Sequence, residues 1–143
     1  MALYNHILVG LDLTEESTHI LERATRLGEG AKISLVHVIE PLAYAYGGDI
    51  PMDLSEVQNQ LQQQATEQLA KLGKSVGAAP ADQYVVIGQP TSEIHRMAEE
   101  KGVDLIVVGS HGRQGLALLL GSTANGVLHG TKCDVLAVRV DQK

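Results

Sequence analysis

Five short apolar runs, separated by four stretches of helical spacing, constrain the fold of this chain more than any other feature. The runs are His6–Val9, Ile33–Ile39, Tyr84–Ile87, Leu105–Val108 and Val135–Val140. They are nearly continuous rather than alternating, which is how strands read when a parallel sheet is covered on both faces. Between them, Ile20, Leu21, Ala24 and Leu27 form a stripe ended by Gly28. Val57, Leu61, Ala65, Leu69 and Leu72 form a second, opened by a capping box from Ser55 to Gln58 and closed at Gly73. Ile94, Met97 and Ala98 make a third, stopped by Gly102, and Ala124, Val127 and Leu128 a short fourth. The order β-α-β-α-β-α-β-α-β predicts an α/β fold, a five-stranded parallel sheet with helices on both faces, in one domain over residues 1–143.

Composition narrows the function classes. Phe and Trp are absent and four Tyr are scattered, so no aromatic platform for single-stranded nucleic acid exists. A net charge of −6 also argues against nucleic acid, whose binding rests on neutralising phosphates. No apolar run approaches the length of a membrane span, and Met1–His6 carries no secretion signal, so a cytoplasmic protein is expected. Cys133, the single cysteine, reads as structural at a strand start.

Ligands of such sheets sit at the carboxyl ends of the strands, where the strand order reverses. Two segments fall on that edge. One is Gly10-Leu11-Asp12 after the first run. The other runs from Asp104 to Thr123, with Gly109, Gly112 and Gly115 in a loop and Gly121-Ser122-Thr123 opening a helix. Glycines let backbone amides approach a ligand closely, and a helix start offers unpaired N–H groups and a positive dipole end. The combination suits a phosphate, although a parallel α/β protein needs glycine turns after its strands whether or not they bind anything. The segment is not a P-loop, since Ser122 stands where the lysine would be, and glycine spacings of three exclude G-x-G-x-x-G.

Other features carry less. Glu40 to Asp53, with Pro41, Tyr44, Tyr46, Gly47, Gly48 and Pro51, reads equally as a lid or a plain crossover. The glutamine-rich stretch from Gln58 to Gln68 reads as a solvated face. His37 reads as a hydrogen-bonded core residue. His111 has no visible catalytic partner, and the six histidines show no metal-ligand spacing. Lysine, metal carboxylate and positioned base are not found together, so efficient phosphoryl transfer is not expected.

With these motifs placed, the chain resembles the single-domain universal stress proteins. Tyr4–Ser17 resembles the family's first strand and turn, Ser34–Ile39 its second strand, and Asp104–Val140 its C-terminal signature. The resemblance implies a Rossmann-like sheet of the adenine nucleotide alpha-hydrolase type and a homodimeric stress-response protein. In one branch it also implies a regulatory ATP or AMP; Asp12 alone could hold Mg²⁺ through water. That branch carries G-x2-G-x9-G-[S/T]. Gly109-Ser-His-Gly112 and Gly121-Ser122 match, but Arg113 to Leu120 is eight residues, one short. Carried over, Asp12 accepts hydrogen bonds from the ribose or adenine side, and backbone groups of Val38 meet the adenine edge. Gly109, Gly112, Gly121, Ser122 and Thr123 hold the phosphates, and Arg113 either pairs with a phosphate or is solvated. For Asp12 the alternative is a charge at the first helix N-terminus. The last run, Val135–Val140, implies the dimer contact. The alternative function is a dimer that binds no nucleotide and acts through an unknown protein partner. An ATP-pyrophosphatase or a flavin carrier fits less well, because neither the Ser-Gly-Gly-x-Asp loop nor flavin-stacking aromatics are present.

Overall fold

The computed structural model describes residues 3–40, 55–79, 82–109 and 122–139, with side chains in the last segment from 126 onward. Its strands are β1 (His6–Gly10), β2 (Lys32–Ile39), β3 (Gln83–Ile87), β4 (Leu105–Gly109) and β5 (Asp134–Val138). Between them lie the helices α1 (Ser17–Leu27), α2 (Ser55–Val76), α3 (Pro90–Glu100) and α4 (Ser122–Gly130). All four strand pairings are parallel and the order is β3-β2-β1-β4-β5, as the alternation of runs and stripes predicts.

Strand alternation divides the core in two. Ile7, Val9, Leu35, Leu105 and Val107 face α1 and α2, packing with Ile20, Leu21, Ala24 and Leu69. Leu8, Val36, Ile106 and Val108 face α3 and α4, packing with Ile94, Met97, Ala98 and Val127. Both faces being covered explains why the runs are continuous.

Two helix ends follow one chemistry. α2 does not close at Gly73, as its stripe predicts, but runs on to Val76. Gly77 adopts φ +75°, and Ala78 N–H donates to Gly73 O at 2.9 Å. Gly73 is instead a buried point of close approach, where an added Cβ would stand 2.2 Å from Gln83 Nε2. α3 stops as predicted. Gly102 has φ +65°, and Val103 N–H donates to Ala98 O at 2.9 Å. The α2 stripe also overreaches. Val57 and Leu61 are 46% and 38% exposed while Ala65 and Leu69 are buried. A 22-residue helix is about 33 Å long against about 17 Å for the five-residue β3, so its first turns overhang the sheet.

The amino edge of the sheet is held by polar groups. Asn5 and His6 N–H donate to the two Asp104 carboxylate oxygens at 2.9 and 3.0 Å, and Tyr4 Oη–H donates to Asp134 at 2.8 Å. The amide of Asn5 foremost, then that of His6, holds the Asp104 carboxyl below its usual range. A lowered folded value means stability that is present above the unfolded carboxylate pKa, about 4, and lost as pH falls through the folded value. Asp104→Asn is expected to cost about 1 kcal/mol at neutral pH, a partly exposed site discounting the charged hydrogen bonds. Urea titrations of both proteins should show that difference shrinking below pH 4. Cys133 lies just before β5, half-buried, its N–H donating to Thr131 Oγ1 at 3.1 Å.

Candidate functional site: a crevice between the first and fourth strands

β1 and β4 pair only through Ile7↔Leu105, Leu8↔Ile106 and Val9↔Val107. Beyond that, β1 stays with β2 (Gly10↔Val36) and β4 with β5 (Gly109↔Val138). The strand order reverses at this point, so the two carboxyl ends open a crevice there.

Gly10 ends β1 against α3. An added Cβ would meet Ile94 Cδ1 at 3.2 Å and Val108 Cγ1 at 3.3 Å. The next residue is pinned by β2, with Leu11 N–H donating to Val36 O at 2.9 Å and His37 Nδ1–H to Leu11 O at 2.8 Å. His37, expected as a hydrogen-bonded core residue, is hydrogen-bonded but only half-buried, and it fixes the start of the site loop. Leu13 then takes φ +61°, the left-handed region, stabilised by packing on the core beneath α1.

This turn sets Asp12, which is half-buried. Its Oδ1 accepts from Thr14 N–H at 3.1 Å. Thr14 Oγ1 stands 2.7 Å from that same oxygen and 2.5 Å from Glu16 Oε2. One hydroxyl hydrogen serves one carboxylate at a time. The Thr14 hydroxyl and the Glu16 amide hold the Glu16 carboxyl below its usual range. Asp12 lies five positions before the first residue of α1 and organises the turn rather than capping the helix; Glu16 holds the cap position. Ser17, the first residue of α1, is buried with its Oγ unpartnered among the described residues. Neither Thr14 nor Ser17 stands out in the sequence, because a hydroxyl near a helix start is common.

Val38 belongs to the same edge through its backbone. The N–H and C=O of one strand residue point to one side, and successive residues to opposite sides. Val36 O receives Leu11 N–H, so residues 36 and 38 face β1; Ile39 O receives Gly88 N–H from beyond β3. β1 pairs no farther than Gly10↔Val36. The Val38 peptide groups thus face the side where β1 has ended, while its side chain packs toward α3.

Gly109 closes β4 at the crevice, and Ser122 and Thr123 form the first turn of α4. Asp12, Val38 and Gly109 thus share the carboxyl edge of the sheet. Gly112, Arg113 and Gly121, the segment Glu40–Asp53 beyond Glu40, His111 and Val140 lie outside the described residues. Among the described residues no group of three or more His, Cys, Asp and Glu side chains could hold a metal ion, and no helix is long and apolar enough to cross a membrane.

Known proteins share this architecture. The sequence model of the universal stress protein family matches residues 3–139. Universal stress protein A homolog 2 of Coxiella burnetii is 41% identical over 143 residues, covering 96% of both chains. Homolog 1 of the same organism is 38% identical over 139 residues, covering 94% of this chain and 96% of its own. The solved structure of MJ0577, a universal stress protein of Methanocaldococcus jannaschii, superposes with TM-score 0.82 at 26% identity and covers 99% of both chains. A universal stress protein solved in complex with cAMP gives TM-score 0.59 at 25% identity, covering 94% of this chain and 96% of its own. The five-stranded parallel sheet agrees with these matches, and the chain belongs to the universal stress protein family.

Proposed function

We propose that this protein is a cytoplasmic stress-response homodimer that binds an adenine nucleotide, ATP or AMP, in the β1–β4 crevice as a regulatory ligand. The observation that carries the reading is the Val38 backbone facing a side where β1 has already ended. An N–H beside a C=O complements the N1 acceptor and exocyclic amine of adenine, whereas guanine offers N–H at the matching ring position. Asp12, with Oδ1 held by Thr14, offers its other oxygen to a ribose hydroxyl. Gly109, Gly112, Gly121, Ser122 and Thr123 supply amides and hydroxyls for the phosphates, with Arg113 as their counter-charge. The cAMP complex of a related protein supports an adenine nucleotide as the class of ligand. The ligand regulates rather than reacts: the residues offered are binding groups, and hydrolysis is slow at most. β5 is an edge strand with Val135, Leu136 and Ala137 half-exposed, which suits pairing with a second copy through Val135–Val140.

Calorimetry on nucleotide-stripped protein is expected to show ATP binding at roughly micromolar Kd, lost in Gly112→Val, because a β-branched side chain obstructs the close amide approach. Absence of binding at millimolar ATP would remove the reading. It would favour a dimer acting through protein contacts alone, which the eight-residue spacing between Gly112 and Gly121 otherwise supports.

A further inference from the structure

α4 cannot hold itself. It has nine residues, includes Asn125 and Gly126, and ends at Gly130. Isolated helices shorter than about 12 residues are marginal in water, and an interior glycine weakens a helix further. What holds α4 is α3. A Cβ added at Gly126 would stand 2.5 Å from Thr91 Oγ1 and 3.1 Å from Thr91 Cγ2. One added at Gly130 would stand 2.4 Å from His95 Cε1. Thr91 and His95, four residues apart on α3, therefore seat directly on two bare backbone positions four apart on α4.

A hydrogen bond locks the pair. His95 Nε2–H donates to Val127 O at 2.9 Å. That carbonyl is among the last four of α4, which have no partner within the helix. The Val127 side chain, fully buried, fills the space beneath. These contacts set where α4 lies against α3, and Ser122 begins the same helix.

We propose that Thr91 and His95 are positioning residues for the phosphate portion of the nucleotide, acting through the seat they make for α4. The proposal rests on the nucleotide reading above. It separates phosphate from base and ribose: Val38 and Asp12 belong to β2 and the β1–α1 turn, not to α4, the helix that this seat holds.

The test compares ATP and adenosine binding by calorimetry for the wild type and Gly126→Ala, with thermal melts to show that each protein folds. Helix propensity alone favours alanine over glycine, so a helix that needed only stability would bind ATP as well or better. The seat predicts the opposite sign. Losing one charge-assisted hydrogen bond from a displaced amide lowers ATP affinity by roughly tenfold or more, with adenosine changed by less than about twofold. Adding Thr91→Ala to Gly126→Ala leaves Thr91 Cβ, at 3.3 Å from the added Cβ, as the near atom and should restore ATP affinity. His95→Ala, which adds no bulk, should repeat the selective loss. Undiminished ATP binding by Gly126→Ala, or equal losses of ATP and adenosine, overturns the positioning role. A wild type that binds neither ligand overturns the nucleotide reading itself, and the positioning role falls with it.

Discussion

Leu8→Ala is expected to lower the unfolding free energy by about 3–4 kcal/mol, measured by urea denaturation at neutral pH. Leu8 is fully buried in the middle of β1, among Val36, Ile94, Met97, Ile106 and Val108 on the face covered by α3 and α4. Truncation loses the transfer free energy of the isobutyl group. It also leaves a cavity, which a sheet paired on both sides of β1 cannot collapse to fill. Leu61→Ala is the contrast. Leu61 belongs to an apolar stripe as regular as any in the chain, yet it is 38% exposed on the overhanging part of α2. Its truncation should cost no more than about 0.5 kcal/mol, since alanine is also the better helix former. Similar losses in the two variants would show that α2 packs along its whole length, against the fold described above.

The second large effect is at His6. This side chain is 9% exposed and joins three elements. Its Nδ1–H donates to Lys101 O at 3.1 Å, at the end of α3, and its Nε2 accepts from Ser34 Oγ–H at 2.7 Å, on β2. A carbonyl only accepts, so Nδ1 carries a hydrogen. His6→Ala opens a cavity and orphans the Ser34 hydroxyl, a group with no exposure of its own. The expected loss is about 3 kcal/mol, combining truncation with the desolvation of an unpaired polar group. Ser34→Ala should cost less, about 1–2 kcal/mol, because only the Nε2 acceptor is left unpaired. His6→Ala combined with Ser34→Ala removes both partners together and should fall well short of the sum of the single losses. Additive losses would mean that the two side chains do not share a hydrogen bond.

The Asp104 and His6 contacts lie at the amino edge of the sheet, and the crevice lies at the carboxyl edge. A variant at His6 or Asp104 therefore reports on stability, while a variant of the α4 seat reports on the site. The two can be read apart in one set of proteins by pairing melts with nucleotide titrations.

Strand and helix order was legible in the residues themselves, because continuous apolar runs and 3.6-residue stripes are local consequences of which faces are buried. The parallel sheet followed from alternation alone, and Gly28 and Gly102 marked helix ends correctly. So was the edge that carries the candidate site: Asp12 and Gly109 follow directly from where their strands end. Three things needed the tertiary structure. The exposure of Val57 and Leu61 depends on how far α2 outruns the strands it covers, which no stripe records. The outward-facing peptide of Val38 depends on β1 stopping opposite Val36, a register between segments about 25 residues apart. The pairing of His6 with Ser34, and of Thr91 and His95 with Gly126 and Gly130, joins residues 28 to 35 positions apart. Periodicity measures which face of an element is buried. Which atoms meet there is decided only when two elements dock, since backbone packing and hydrogen-bond geometry are satisfied between segments rather than within them.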